Sequence, residues 1–213
     1  MKKQKLWYLL ALSMVLPTFS LQAQLSDHLL PHMGFMRETI SLAPESSTIP
    51  INYDALPYNA LHIGTYYAIG HINDVFSYGV DGSLQFGVFP QVINGELKLD
   101  GIVQTPVYAM VRLGANSTPY NTQRLGIAAG IGGVYSFMSF RTSATQKLRA
   151  DFFIPDAVFE VTFMSGGNPL TGRLHIGLND AVFNRQIVNE AGDVLADDPF
   201  FFRGLGWGLI YGF

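Results

Sequence analysis

The chain has 213 residues, a formal net charge of −3, no cysteine, and 48% hydrophobic against only 14% charged residues. Soluble domains usually carry about a quarter charged residues, so this composition is too apolar for one. The acidic balance argues against a nucleic-acid partner, and the absence of cysteine excludes both a disulfide framework and a lipid-modified cysteine anchor.

The chain begins MKKQKLWYLLALSMVLPTFSLQAQ. Lys2, Lys3 and Lys5 precede an apolar run over 6–15 that is too short to span a bilayer, and 21–23 reads Leu-Gln-Ala, a plausible cleavage site. Residues 1–23 are therefore expected to be a signal peptide and the mature chain to start at Gln24. Cleavage would remove three of thirteen basic residues and no acid, taking the formal charge from −3 to −6. No later run of 18 apolar residues could form a membrane helix. An exported chain this apolar without such a helix implies an antiparallel up-and-down transmembrane β-barrel of about eight strands.

Alternation supports that expectation, since side chains along a strand change face at every residue. After a leading segment at 24–33, the barrel is expected over 34–213. Its first stretch, 34–42, alternates poorly; it counts as a strand because single-chain barrels have even strand numbers, and otherwise 24–59 would be a tail or plug. If 34–42 is a strand, 43–59 becomes the first external loop. Clear alternation starts with Leu61, Ile63, Tyr67 and Ile69, and continues through the even set Phe76, Tyr78, Val80, Leu84, Phe86 and Val88. Asn94-Gly95 is a hairpin signal. The odd set Leu97, Leu99, Val103, Val107, Ala109, Val111 and Leu113 follows, flawed by Pro106. Then come Leu125 to Phe137, Phe159 to Phe163, Leu174 to Leu178, and the closing RGLGWGLIYGF. Breaker-rich stretches at 70–74, 115–123, 142–147, 165–169 and 184–199 separate them.

Facing the apolar sets are the residues expected to form a polar lumen network: Glu96, Lys98, Asp100, Arg112, Glu160, Arg173 and His175, with Arg124 and Asn179 on the same parity. An eight-stranded barrel is just wide enough to be filled by side chains. The glycines of 124–137 and 204–212 then make room for large groups from the facing wall. Mixed charge in so narrow a lumen favours mutual neutralisation, because an unpaired buried charge is costly; a narrow polar pore is the alternative. Arg141, Arg149 and Arg203 fall on the lipid-facing parity near the external strand ends, where a guanidinium can bind lipopolysaccharide phosphate or simply snorkel. A bulge at Pro155 would flip the parity at Arg149.

Chemistry is sparse. His71, Asp74 and Ser77 cluster near one turn, and His28 and His32 are spaced i, i+4, but neither set has the remaining members of a triad or a metal site. No catalytic set, cofactor site or metal site is read, and no G-x-S-x-G, H-E-x-x-H or phosphate-loop pattern occurs.

The closing WGLIYGF, with Trp207, Leu209, Tyr211 and Phe213 alternating to a terminal aromatic, resembles the last strand of bacterial outer-membrane β-barrels. That resemblance implies recognition by the barrel-assembly machinery and residence in the outer membrane among its lipids and lipopolysaccharide. In overall pattern the chain is similar to the small OmpA/OmpX-class barrels, without a peptidoglycan-binding domain. PDAVFEVTF with GRLHIGLNDAVFN is more faintly similar to the PorP/SprF-type barrels of a secretion system. Together these imply a non-enzymatic barrel with a structural or adhesive role, or an accessory subunit beside other outer-membrane proteins in a secretion or assembly machine. A transport pore and a lipid-modifying enzyme are the rival functions.

Overall fold

A computed structural model describes residues 28–44, 53–93, 95–141, 146–178, 181–189 and 194–213. Nine strands occupy them: β1 (Leu29–Pro44), β2 (Tyr53–Ile72), β3 (Phe76–Ile93), β4 (Glu96–Gly114), β5 (Leu125–Arg141), β6 (Gln146–Ser165), β7 (Asn168–Gly177), β8 (Ala181–Asn189) and β9 (Val194–Gly212). Every pairing is antiparallel between neighbours, and β1 pairs β9 to close the ring. The nine strands make eight staves, because β7 and β8 share one. β7 fills the lower part between β6 and β9, and β8 the upper part.

One row of paired residues measures the stagger. From Arg37 it runs through Asn59, Val88, Gly101, Ser139, Arg149 and Gln186 to Asp197. The residue paired directly with Arg37 across the closing seam is Trp207, ten positions away from Asp197. A shear of this size tilts eight strands by roughly 35–45° and leaves an interior that side chains can fill. The end holding Leu29 and Phe213 is called the lower end below.

The expected eight-strand barrel is thus the observed one, with corrected boundaries. The weakly alternating 34–42 is part of β1, which starts at Leu29 and so takes in much of the expected leading segment. The stretch 184–199, read as a breaker cluster, is mostly strand in β8 and β9, and β6 begins at Gln146 rather than near 159. Pro155 carries no bulge: the β5–β6 register is unbroken from Leu125↔Phe163 to Arg141↔Lys147, so Arg149 stays outward. The proline ring instead sits at the break between β7 and β8, where its missing N–H removes no ladder bond and its carbonyl accepts from Leu178 N–H at 2.8 Å. Pro106 lies beside a local gap in the β3–β4 pairing, at Ser83 and Leu84.

Alternation divides the wall as a barrel requires. Phe35 is 72% exposed and Trp207 and Leu209 are each 59% exposed, while the inward Met36, Tyr58, Tyr66 and Tyr108 are almost fully buried. Between the strands, the lower end is capped by the Asp74 carbonyl, which accepts from Ser117 Oγ (2.7 Å), Thr118 Oγ1 (3.2 Å) and Asn121 Nδ2. These three donors tie the β4–β5 connection to the β2–β3 turn.

Candidate functional site: a transverse ion network in the lumen

The inward alternation brings four charged side chains from four strands to one level. Asp81 (β3), Arg112 (β4), Glu160 (β6) and Arg173 (β7) are all buried. Arg173 Nε–H donates to Glu160 Oε1 at 2.7 Å, and its Nη2 donates to Asp81 Oδ1 at 3.0 Å. Arg112 Nη2 lies 3.2 Å from Glu160 Oε2 and 3.4 Å from Asp81 Oδ2. Each guanidinium therefore serves both carboxylates, and each carboxylate receives both guanidinium groups. Asp81–Arg173 and Arg112–Glu160 span non-adjacent strands, so the quartet crosses the lumen. Arg112 also stacks over the Tyr66 ring, 4.0 Å from its centroid.

A second group lies beside it. His175 (β7) has Nε2 2.7 Å from Glu38 Oε1 (β1) and Nδ1 3.1 Å from Asp156 Oδ2 (β6). Tyr108 O–H donates to Asp156 Oδ1 at 3.3 Å. Both ring nitrogens of His175 face carboxylates, an arrangement in which the imidazolium donates twice. Glycine makes this contact possible. Glu38 and His175 both pair with Gly206 of the strand between them, and a Cβ at Gly206 would collide with His175 Nε2 and the Glu38 carboxylate. The room left by glycine is thus taken by neighbouring strands, where the sequence had suggested the facing wall.

Further up, neutral groups continue the filling. Tyr58 O–H donates to Gln104 Oε1 at 2.7 Å, and Gln104 Nε2 donates to Ser136 Oγ at 3.1 Å. On the β1–β3 wall, His32 and His62 stack at 5.0 Å and Gln85 bonds His62 Nδ1 at 3.1 Å. Phe89, Ile102, Met138 and Phe152 are buried on the inward face of the upper strands.

Of the residues expected in the lumen network, Arg112, Glu160, Arg173 and His175 are brought together. Glu96, Lys98 and Asp100 are not: they share the parity but stand at the upper tip of β4. Lys98 Nζ pairs there with Glu96 Oε2 at 2.5 Å on an open surface, and Asp100 Oδ2 accepts from the Arg141 backbone N–H at 2.8 Å. Asn179 lies outside the described residues. Asp81, Glu38, Asp156 and Tyr108, which sequence reasoning did not single out, hold the network together.

Arg149 is exposed on the outer face, and Arg141, only partly exposed, stands near it on the adjacent strand. Arg203 pairs Ser41 through the backbone, and its side chain lies outside the described residues. Trp207, Leu209, Tyr211 and Phe213 all point outward, and Phe213 N–H donates to Pro31 O at 3.3 Å.

The candidate catalytic and metal sets do not assemble. Ser77 is buried and engages the Tyr66 hydroxyl at 3.0 Å, while His71 is exposed. In extended chain, an i, i+4 spacing holds His28 and His32 about 13 Å apart, and each ring sits against a different partner, Tyr67 and His62.

No family model matches the chain, and no curated protein matches it. Among solved structures it is similar to the outer membrane protein OprG from Pseudomonas aeruginosa, at 12% identity over 88% of this chain and 96% of that one, with a TM-score of 0.45. It is also similar to the N-terminal β-barrel domain of Pseudomonas aeruginosa OprF, at 11% identity over 84% of this chain and 96% of that one, with a TM-score of 0.38.

Proposed function

We infer that this protein is an outer-membrane β-barrel with a filled, non-conducting lumen, serving as a structural or adhesive element or as an accessory subunit of a larger outer-membrane assembly. The observation that carries the reading is the buried quartet Asp81, Arg112, Glu160 and Arg173, which bridges the lumen with charges that satisfy one another. A continuous pore needs its charged groups left facing water. The outward apolar belt supports the membrane assignment, because a closed barrel satisfies every ladder bond and can expose such a surface only to lipid.

In this reading the lower end faces the periplasm. Trp207, Leu209, Tyr211 and Phe213 form the assembly signal on β9, and deleting Phe213 lowers the folded outer-membrane population while export continues. Arg141, Arg149 and Arg203, on the upper strand ends, meet lipopolysaccharide phosphates.

The direct test is membrane fractionation followed by purification from mild detergent. Recovery from the outer membrane in stoichiometric complex with another outer-membrane protein supports the accessory role, and recovery alone supports the structural or adhesive one. Recovery from the soluble or inner-membrane fraction overturns the reading.

A further inference from the structure

Among the described residues, three connections stand at the lower end, and one differs from the others. Asn73 and Asp74 in the β2–β3 turn and Gly166 and Gly167 in the β6–β7 turn are exposed, as connections normally are. In the β4–β5 connection, Ala115, Ser117, Thr118 and Asn121 are all buried. The chain enters it through two left-handed residues, Gly114 (φ 81°) and Asn116 (φ 63°). Ser117, Thr118 and Asn121 then turn onto the Asp74 carbonyl, and Asn121 Nδ2 also donates to Ser117 Oγ at 3.0 Å. The reach of this connection sets it apart. β4 and β5 stand opposite β9 and β1 in the ring, yet Asn116, Thr118 and Asn121 line one cavity of about 210 Å³ together with Leu29, Pro169 and Phe213. The connection therefore crosses the mouth instead of standing at its rim. Arg112 reaches it from the ion network, donating through Nη1 to Asn116 O at 3.4 Å.

We propose that residues 115–123 are a strap that shuts the lower mouth, a second closure beneath the ion network. The proposal rests on the filled-lumen reading above. The network alone would leave the lower lumen, with Ala68 and Ser77 on its inward wall, open to the periplasm. Side-chain hydrogen bonds to one carbonyl hold the strap, so it can lift without breaking a strand ladder, and segments held in this way open at lower free energy than the strands around them.

The test uses the whole protein refolded in mild detergent, with Ser77→Cys as the one thiol in a chain that has none. Ser77 is fully buried and lies four residues from Asp81 along β3, about 13 Å toward the lower end. A water-soluble maleimide is expected to label this cysteine slowly while the strap is in place. Labelling should be roughly tenfold faster when Ser117→Ala and Asn121→Ala together remove two of the three donors to Asp74. Gln104→Ala, above the ion network, is expected to leave the rate unchanged, because access is from below. Heat-modifiable mobility is scored for every variant, and Ala68→Cys, buried on the inward face of β2, repeats the measurement if Ser77→Cys fails to fold. Fast labelling with the strap intact, or equal rates with and without its donors, overturns the proposal. A steady channel in the unmodified protein defeats the filled-lumen reading and the strap together, whereas equal labelling in a barrel that carries no current defeats the strap alone.

Discussion

Val111 and Arg112 are consecutive residues of β4, and their surroundings differ sharply. Val111 stands nearly half exposed on a wall of other large apolar side chains, while Arg112 is buried between Asp81, Glu160 and the Tyr66 ring. The same alternation runs round the barrel, with Phe35 against Met36 and Trp207 against Gly206. In a soluble protein the apolar face would be the packed one. Here the packed face carries the charged groups as well as apolar ones, because lipid can cover the outside and a charge turned inside must be neutralised by another. The inner face consequently rests on a few specific pairings, and the outer face on a general requirement for hydrocarbon.

The largest effect should come from breaking a charge balance inside. Arg173→Ala leaves Asp81 and Glu160 sharing one guanidinium, and removing one partner of a buried pair typically costs about 3–5 kcal/mol. Urea-dependent refolding into lipid vesicles measures this. A double replacement, Arg173→Ala with Glu160→Ala, should recover part of the loss, and a purely additive result would mean that the quartet is not a unit. Next comes a charge placed outside. Leu209→Arg on the lipid face of β9 is expected to cost about 2–4 kcal/mol in the same assay, and silence there would invert the assignment of the two faces. Gly206→Ala probes the inner face by shape alone. Its methyl group would part His175 from Glu38, for an expected loss of about 1–3 kcal/mol. Tyr58→Phe removes one donor from buried Gln104, worth about 1 kcal/mol. At the bottom of the scale, Lys98→Ala should change nothing measurable, since its pair with Glu96 lies in the open at a hairpin tip.

Much of this architecture is legible in the residues themselves, for a physical reason. Period-two alternation survives wherever lipid demands a large apolar side chain at every second position, so the outward set from Leu61 to Phe137 and from Leu205 to Phe213 can be read directly. It fails where the outer face rises above the apolar belt. Arg37 and Asn59, which bond to each other on the outside, blur the pattern in β1 and β2, and Arg149 and Asp151 do the same in β6. Glu38 was hidden by that blurring, and Asp156 lies in the part of β6 before Phe159 where no strand was read. Parity also says nothing about height along a strand. Glu96, Lys98 and Asp100 share a face with Arg112, yet they stand at the opposite end of β4 and never approach it. Asp81 was readable in principle, as an acid on the inward parity between Val80 and Gly82. Its central place depends on which residues the shear brings level with it, and the pairing register alone supplies that.

Planar-bilayer recording of the purified, refolded protein tests the central claim most directly, because current reports whether the ion network spans the lumen. The account predicts no stable conductance step in the unmodified barrel and a gain of conductance in Arg112→Ala, where the bridge from β4 to Glu160 and Asp81 is removed. A steady, well-resolved channel in the unmodified protein would contradict it.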